Sequence, residues 1–65
     1  MSMNSIRNAY GVPAKRGGRI QFTPPFYRAQ TGTITGTYEG HLLVRFDDQP
    51  DRLAAIHPSW KVTYL

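Results

Sequence analysis

The sequence predicts an all-β protein: a small closed barrel of five short strands with a short N-terminal helix. Three observations predict it. Apolar and polar residues alternate in several short runs, turns rich in glycine and proline separate those runs, and no stretch holds a helical period for long. Sixty-five residues make one domain with a modest core. Closure of the sheet removes unpaired edges, which matters in so short a chain.

The first element is "NSIRNAYGVP", read as one or two helical turns. Asn4 or Ser5 is the expected cap, Gly11 the left-handed stop and Pro13 the barrier to continuation. Ile6 and Tyr10 are four residues apart and share a face that can lie on the barrel. Residues 1–12 thus form a helical arm and residues 13–65 the barrel. Gly17-Gly18 is a turn. In "RIQFT" Ile20 and Phe22 face one side and Arg19, Gln21 and Thr23 the other, a half-buried strand. Pro24 and Pro25 end it, because neither donates to a ladder.

"TGTITGTY" is β-branched and forms the second strand around Ile34, with glycines suited to a strong bend. "EGH" is a hairpin turn with Gly40 at positive φ. "HLLVRF" is the third strand, with Leu42, Val44 and Phe46 on one face and His41, Leu43 and Arg45 on the other. "DDQPDR" is a polar turn, "LAAIH" a fourth strand, "PSW" a tight corner and "KVTYL" the fifth strand. Ile56, Trp60, Val62 and Tyr64 are expected inside, with Trp60 sealing one end of the barrel.

The formal net charge is +4, and it is uneven. Residues 1–35 carry Arg7, Lys15, Arg16, Arg19 and Arg28 and no acid. Residues 36–65 carry Arg45, Arg52 and Lys61 against Glu39, Asp47, Asp48 and Asp51. A basic front half implies an anionic partner met by that half. The chain has no cysteine, which fits a reducing compartment. The opening "MSMNSIRNAY" has no apolar run of the kind a secretory signal needs, and "HLLVRF" is far too short to cross a bilayer. The expected setting is the cytoplasm, without membrane contact.

The order of strand, irregular loop, bent hairpin, short strand, tight turn and last strand resembles the SH3-like barrel, including KOW-type modules of ribosomal and transcription proteins. "RIQF" followed by "GTITGTYEGHLLVRFDD" carries that likeness. Over nearly the whole chain, "AYGVPAKRGGRI", "GTITG", "HLLVRFD" and "HPSWKVTYL" resemble a group of small proteins encoded by bacteriophages and prophages. That resemblance implies a phage or prophage origin, a bacterial host and an SH3-like fold, and it implies no activity. A weaker likeness is to plasmid-borne type II dihydrofolate reductases, whose late strand "V-Q-I-Y-P" is similar to "AAIHP". Ile56 and Pro58 match, but Ala55 stands where that family has its functional glutamine and His57 where it has tyrosine.

Candidate sites were weighed on their chemistry. Ser59 lies two residues from His57, with Asp47, Asp48 and Asp51 earlier in the chain, but this is composition rather than a motif, and a barrel this small offers little pocket for nucleophilic catalysis. His41, His57 and the nearby aspartates have no metal-ligand spacing, and "DDQPDR" reads as an ordinary turn. No enzyme activity, metal or cofactor is therefore expected. His57 is expected to face outward, its ring on the barrel rim or Trp60 and one nitrogen on a backbone group.

The remaining signal is for nucleic acid. Lys15, Arg16 and Arg19 are placed to contact phosphates, with Arg45 extending the patch. Phe26 and Tyr27, beside Arg28 in "TPPFYRAQ", suit stacking on unpaired bases. An equal alternative has Phe26 and Tyr27 folding back as a lid over the barrel. The rival function is a protein-interaction module acting on a host or phage protein through aromatic loops. The "TPPFYRAQ" loop carries Arg28 and no acid, which argues against the basic proline-rich ligands of SH3 domains proper. Self-association through Leu43 or Leu65 stays open.

Overall fold

In a computed structural model describing residues 2–65, one helix and five strands follow each other along the chain. They are α1 (Met3–Tyr10), β1 (Arg19–Phe22), β2 (Gln30–Tyr38), β3 (His41–Phe46), β4 (Ala54–Ile56) and β5 (Val62–Tyr64). The strands form one antiparallel sheet in the order β4-β3-β2-β1-β5. All five expected strands are present. The expected closure is not: β4 and β5 are the sheet's two edges, and no ladder joins them. Each edge strand is only three residues long, which limits the length of unpaired backbone on offer.

The helix starts two or three residues earlier than its sequence suggests. Ser2, not Asn4 or Ser5, is the cap: its hydroxyl accepts from the Ser5 N–H at 3.1 Å. Moving the cap upstream brings Met3 into the first turn, where it packs against the core. Gly11 ends the helix at φ +64°, and its N–H donates to the Arg7 carbonyl, the left-handed stop anticipated for it. Arg7 then spans the turn to Ala14 O at 2.7 Å, tying the helix to the chain that follows it.

Alternation sets the core. Ile20, Ile34, Leu42, Val44, Phe46 and Ile56 are buried from the sheet, and Ile6 and Ala14 join them from the N-terminal segment. Phe22, Val62 and Tyr64 pack half-buried around these residues. The arm is thus part of the core, since Ile6 has no exposed surface. Tyr10 on the same face stays partly exposed and meets the His57 ring edge-on, with centroids 5.0 Å apart.

Trp60 departs from expectation. It is 48% exposed and lies over Phe22 with ring centroids 5.8 Å apart. Phe22 already occupies the space beneath it, between Trp60 and Phe46. The buried member of "HPSW" is Pro58, whose carbonyl accepts from the Tyr64 hydroxyl at 2.6 Å. Burial holds the Tyr64 phenol above its ordinary pKa.

The bend in β2 comes from a bulge. Ile34 pairs with Val44 and Gly36 with Leu43, so Thr35 has no partner in the ladder. Its hydroxyl donates to the Leu43 carbonyl at 3.2 Å. Glu39 and Gly40 take φ +46° and +81° in the β2–β3 turn, as a tight hairpin requires.

Gly32 shows how closely the strands cross. A Cβ there would lie 2.8 Å from Arg45 O and 2.8 Å from Val44 Cγ1. Gly32→Ala should therefore cost about 1–3 kcal/mol, by overpacking and a shifted β2–β3 pairing. Urea unfolding of the two proteins measures this, and an unchanged midpoint would contradict the packing described.

Candidate nucleic-acid interface

Because Ile20 and Phe22 point into the core, Arg19 and Gln21 point out. The same rule sends Thr31 and Thr33 outward from β2 and Leu43 and Arg45 outward from β3. Register places Arg19 opposite Thr33, and Thr33 opposite Arg45. These three side chains form a row across the sheet's outer face. Adjacent strands are ~4.8 Å apart, so the two arginines sit about 10 Å apart along that row.

Arg19 is already engaged. Its guanidinium donates to both carboxylate oxygens of Asp47, at 2.8 and 2.5 Å, and to Thr33 Oγ1 at 2.7 Å. The fork geometry is the strong form of this pair. Hydrogen bonding to Arg19 holds the Asp47 carboxyl below its ordinary range, and the same bond raises Arg19 above its own. Both partners remain open to solvent, so salt screens the pair. Arg45 lies next in the row and makes no ion pair or side-chain hydrogen bond among the described residues.

Lys15 and Arg16 occupy the turn that leads into β1. Gly17 takes φ +80° there, Gly18 N–H returns to Lys15 O, and Gly17 N–H docks the turn on Ile34 O at 2.8 Å. Both cationic side chains are exposed. Lys15 and Arg19 also line a shallow cleft of about 250 Å³ with Pro13, Ile34, Tyr64 and Leu65.

Phe26, Tyr27 and Arg28 lie at the other end of β1. Tyr27 N–H donates to Pro24 O at 3.3 Å, closing a turn with Pro25 second and Phe26 third at φ +67°. Proline second and positive φ third is the pattern of a type II turn, with phenylalanine where glycine is usual. Phe26 is fully exposed and Tyr27 is 75% exposed. The lid alternative is thereby overturned: the turn carries both rings away from the sheet, and Phe22, Phe46 and Trp60 cover that end instead.

The seven anticipated residues therefore fall into three groups rather than one patch. Lys15 and Arg16 precede β1, Arg19 and Arg45 share a row on the outer face, and Phe26, Tyr27 and Arg28 follow β1. Four residues of β1 separate the outer groups, roughly 10 Å of extended chain. Sequence reasoning missed Trp60 as a surface residue, having placed it inside, and gave Lys61 no role in the site. Thr23 N–H donates to Lys61 O at 2.9 Å, so that segment borders the "TPPFYRAQ" loop. The tight "HPSW" corner was the available signal, since a short turn leaves a large ring little room to fold inward.

His57 faces outward, as its sequence position implies. Its Nδ1 accepts from the Ser59 N–H at 3.1 Å and lies 3.2 Å from the Ser59 hydroxyl. Its ring meets Tyr10 and His41, not Trp60. Nδ1 serves the corner that carries the buried Pro58, a structural use. No cluster of His, Asp or Glu among the described residues has the arrangement to hold a metal ion. No helix among the described residues is long and apolar enough to cross a membrane.

Comparison with known protein families, curated proteins and solved structures gives no match.

The Arg19–Asp47 pair makes a pH prediction. Asp47 has a lowered folded pKa, so its contribution is present above the unfolded aspartate range and is lost as pH falls through the folded value. Thermal melts of the wild type and Asp47→Asn should differ at neutral pH and converge in acid. A difference that persists unchanged into acid would show that the carboxylate charge is not what Arg19 uses.

Proposed function

We propose that the protein is a non-enzymatic binding module for an anionic partner, a nucleic acid with unpaired bases. The observation that carries this reading is Phe26, held fully exposed at positive φ beside Tyr27 and Arg28. Exposed apolar rings lower solubility, and a bulky residue rarely takes positive φ without compensation. A turn that displays two rings next to a guanidinium suits stacking with backbone neutralisation. Lys15, Arg16 and Arg45 supply further unpaired cations on or beside the same face, and Arg19 contributes through its exposed edge. The outer sheet surface between them is threonine- and glutamine-rich, which suits hydrogen bonds to sugar and phosphate.

We read the sheet as an SH3-like barrel of the KOW kind. The strand order and the bulge-bent β2 support this, and the phage or prophage origin rests on sequence resemblance alone. A protein-interaction role through Phe26 and Tyr27 is the competing outcome of the experiment that follows.

A labelled single-stranded oligonucleotide should bind at low salt and weaken steeply as salt rises, through counterion release. Arg28→Ala and Arg45→Ala should each reduce the salt slope by about one. Phe26→Ala and Tyr27→Ala should each cost about 1–3 kcal/mol with little change in slope. Absence of binding at low salt overturns the reading. Capture of a host protein that survives nuclease and high salt would favour the interaction module.

A further inference from the structure

Among the described residues, three other than glycine take positive φ: Phe26, Glu39 and Lys61. Glu39 belongs to the hairpin turn, which demands that conformation. Phe26 and Lys61 lie on two neighbouring segments at one end of β1, joined by the Thr23 N–H to Lys61 O bond. Strained backbone on adjoining surface segments motivates a functional reading of both.

Trp60 stands beside Lys61, half exposed, with its ring tilted 51° against that of Phe22. Phe22 packs against it at 5.8 Å between centroids, and Phe46 packs against Phe22 at 6.2 Å. The row Phe46–Phe22–Trp60 runs from the core to the surface and ends in a half-exposed indole. A ring already held by packing on one side loses less freedom when a flat group settles on its open surface. Charge then distinguishes the two flanks of β1. On the β2–β3 side lie Asp47 and Asp48, lining a shallow depression with Ala29, Gln30 and Thr31. On the β5 side lie Trp60 and the exposed Lys61. Asp47 is already paired with Arg19, and Lys61 makes no ion pair among the described residues, so the second flank offers a polyanion a free cation beside a half-exposed ring.

We propose that Trp60 and Lys61 form a second seat for the strand, Trp60 stacking one base and Lys61 meeting the adjoining phosphate. This rests on the nucleic-acid reading above and extends it: the ligand is a single strand, and its path runs from Phe26 and Tyr27 toward β5. A duplex does not satisfy the site, because its paired bases offer no free face to the indole.

Trp60 is the chain's one tryptophan, so its fluorescence reports on the seat directly. The experiment titrates an oligothymidylate of about ten nucleotides. Fluorescence anisotropy of an end label follows binding while Trp60 emission is recorded in parallel. Trp60 emission should be quenched with the midpoint given by anisotropy, and a duplex of the same length should leave it unchanged. Trp60→Leu should weaken binding at least about fivefold, Trp60→Phe should retain most of the affinity, and Lys61→Gln should lower the salt slope by about one. If Trp60→Leu fails to fold by circular dichroism, Trp60→Phe and the wild-type emission decide. Binding by anisotropy with unaltered Trp60 emission overturns this seat and leaves the earlier reading standing. No binding of any single strand overturns both.

Discussion

The structure depends on the pairing of β1 with two partners at once. Arg19–Phe22 is only four residues long, yet it lies between β2 and β5 and joins the C-terminal segment to the rest of the sheet. Ile20 pairs with Gly32 on one side and Tyr64 on the other, and it is completely buried. A slip of one residue would turn Ile20 and Phe22 out and Arg19 and Gln21 in. β3 is also paired on both sides, but β1 alone links the C-terminal strand to the sheet. Its ends are fastened as well: Leu65 N–H meets Arg19 O at one end, and Thr23 N–H meets Lys61 O at the other.

Fixing β1 fixes the electrostatics of the outer face. Arg19 must point outward at the position opposite Thr33, where the carboxylate of Asp47 is within reach. The pairing divides the basic front half into one neutralised cation and several free ones. A count of charges along the chain cannot see this, because Arg19 and Asp47 are 28 residues apart in sequence. The free positive charge therefore lies away from the middle of β1, at the Lys15–Arg16 turn, at Arg45 and at Arg28.

Alternation made most of the fold legible. Runs such as "RIQF" and "HLLVRF" state their inward faces directly, and both faces are as read. Glycine marks at Gly11 and Gly40 located the helix stop and the hairpin. What stayed hidden depends on three-dimensional fit. Closure of a barrel rests on whether two three-residue strands meet, and no pattern within either strand reports that. The helix cap was misplaced because Ser2, Asn4 and Ser5 are all competent caps, and the choice turns on how far Met3 and Ile6 reach into the core. Trp60 lies at the surface because size alone does not decide burial. In a core this small Phe22 and Phe46 already fill the end of the sheet, and a third large ring must lie on top. For the candidate site, residue identities were legible and their grouping was not, since three contiguous-looking clusters are distributed around β1.

Glu39 and Phe26 carry the last step. Both hold positive φ in tight turns, and their turns differ in what they achieve. The Glu39–Gly40 turn joins strands already in register, so its conformation is repaid by the β2–β3 ladder that it closes. The Pro24–Tyr27 turn lies inside the seven-residue connection that joins the β1–β2 ladder, set back from the last pair, Phe22 and Gln30, rather than directly capping it. Two prolines restrict this connection before it reaches Phe26, which lowers the entropy lost in holding the loop in one shape. The ring so positioned touches nothing in the protein that would stabilise it there. A loop stiffened by proline, strained at one residue and ending in a solvent-facing aromatic pair is pre-organised for a contact outside the chain. That asymmetry between the two turns is the physical reason to look for function at Phe26 rather than at the hairpin.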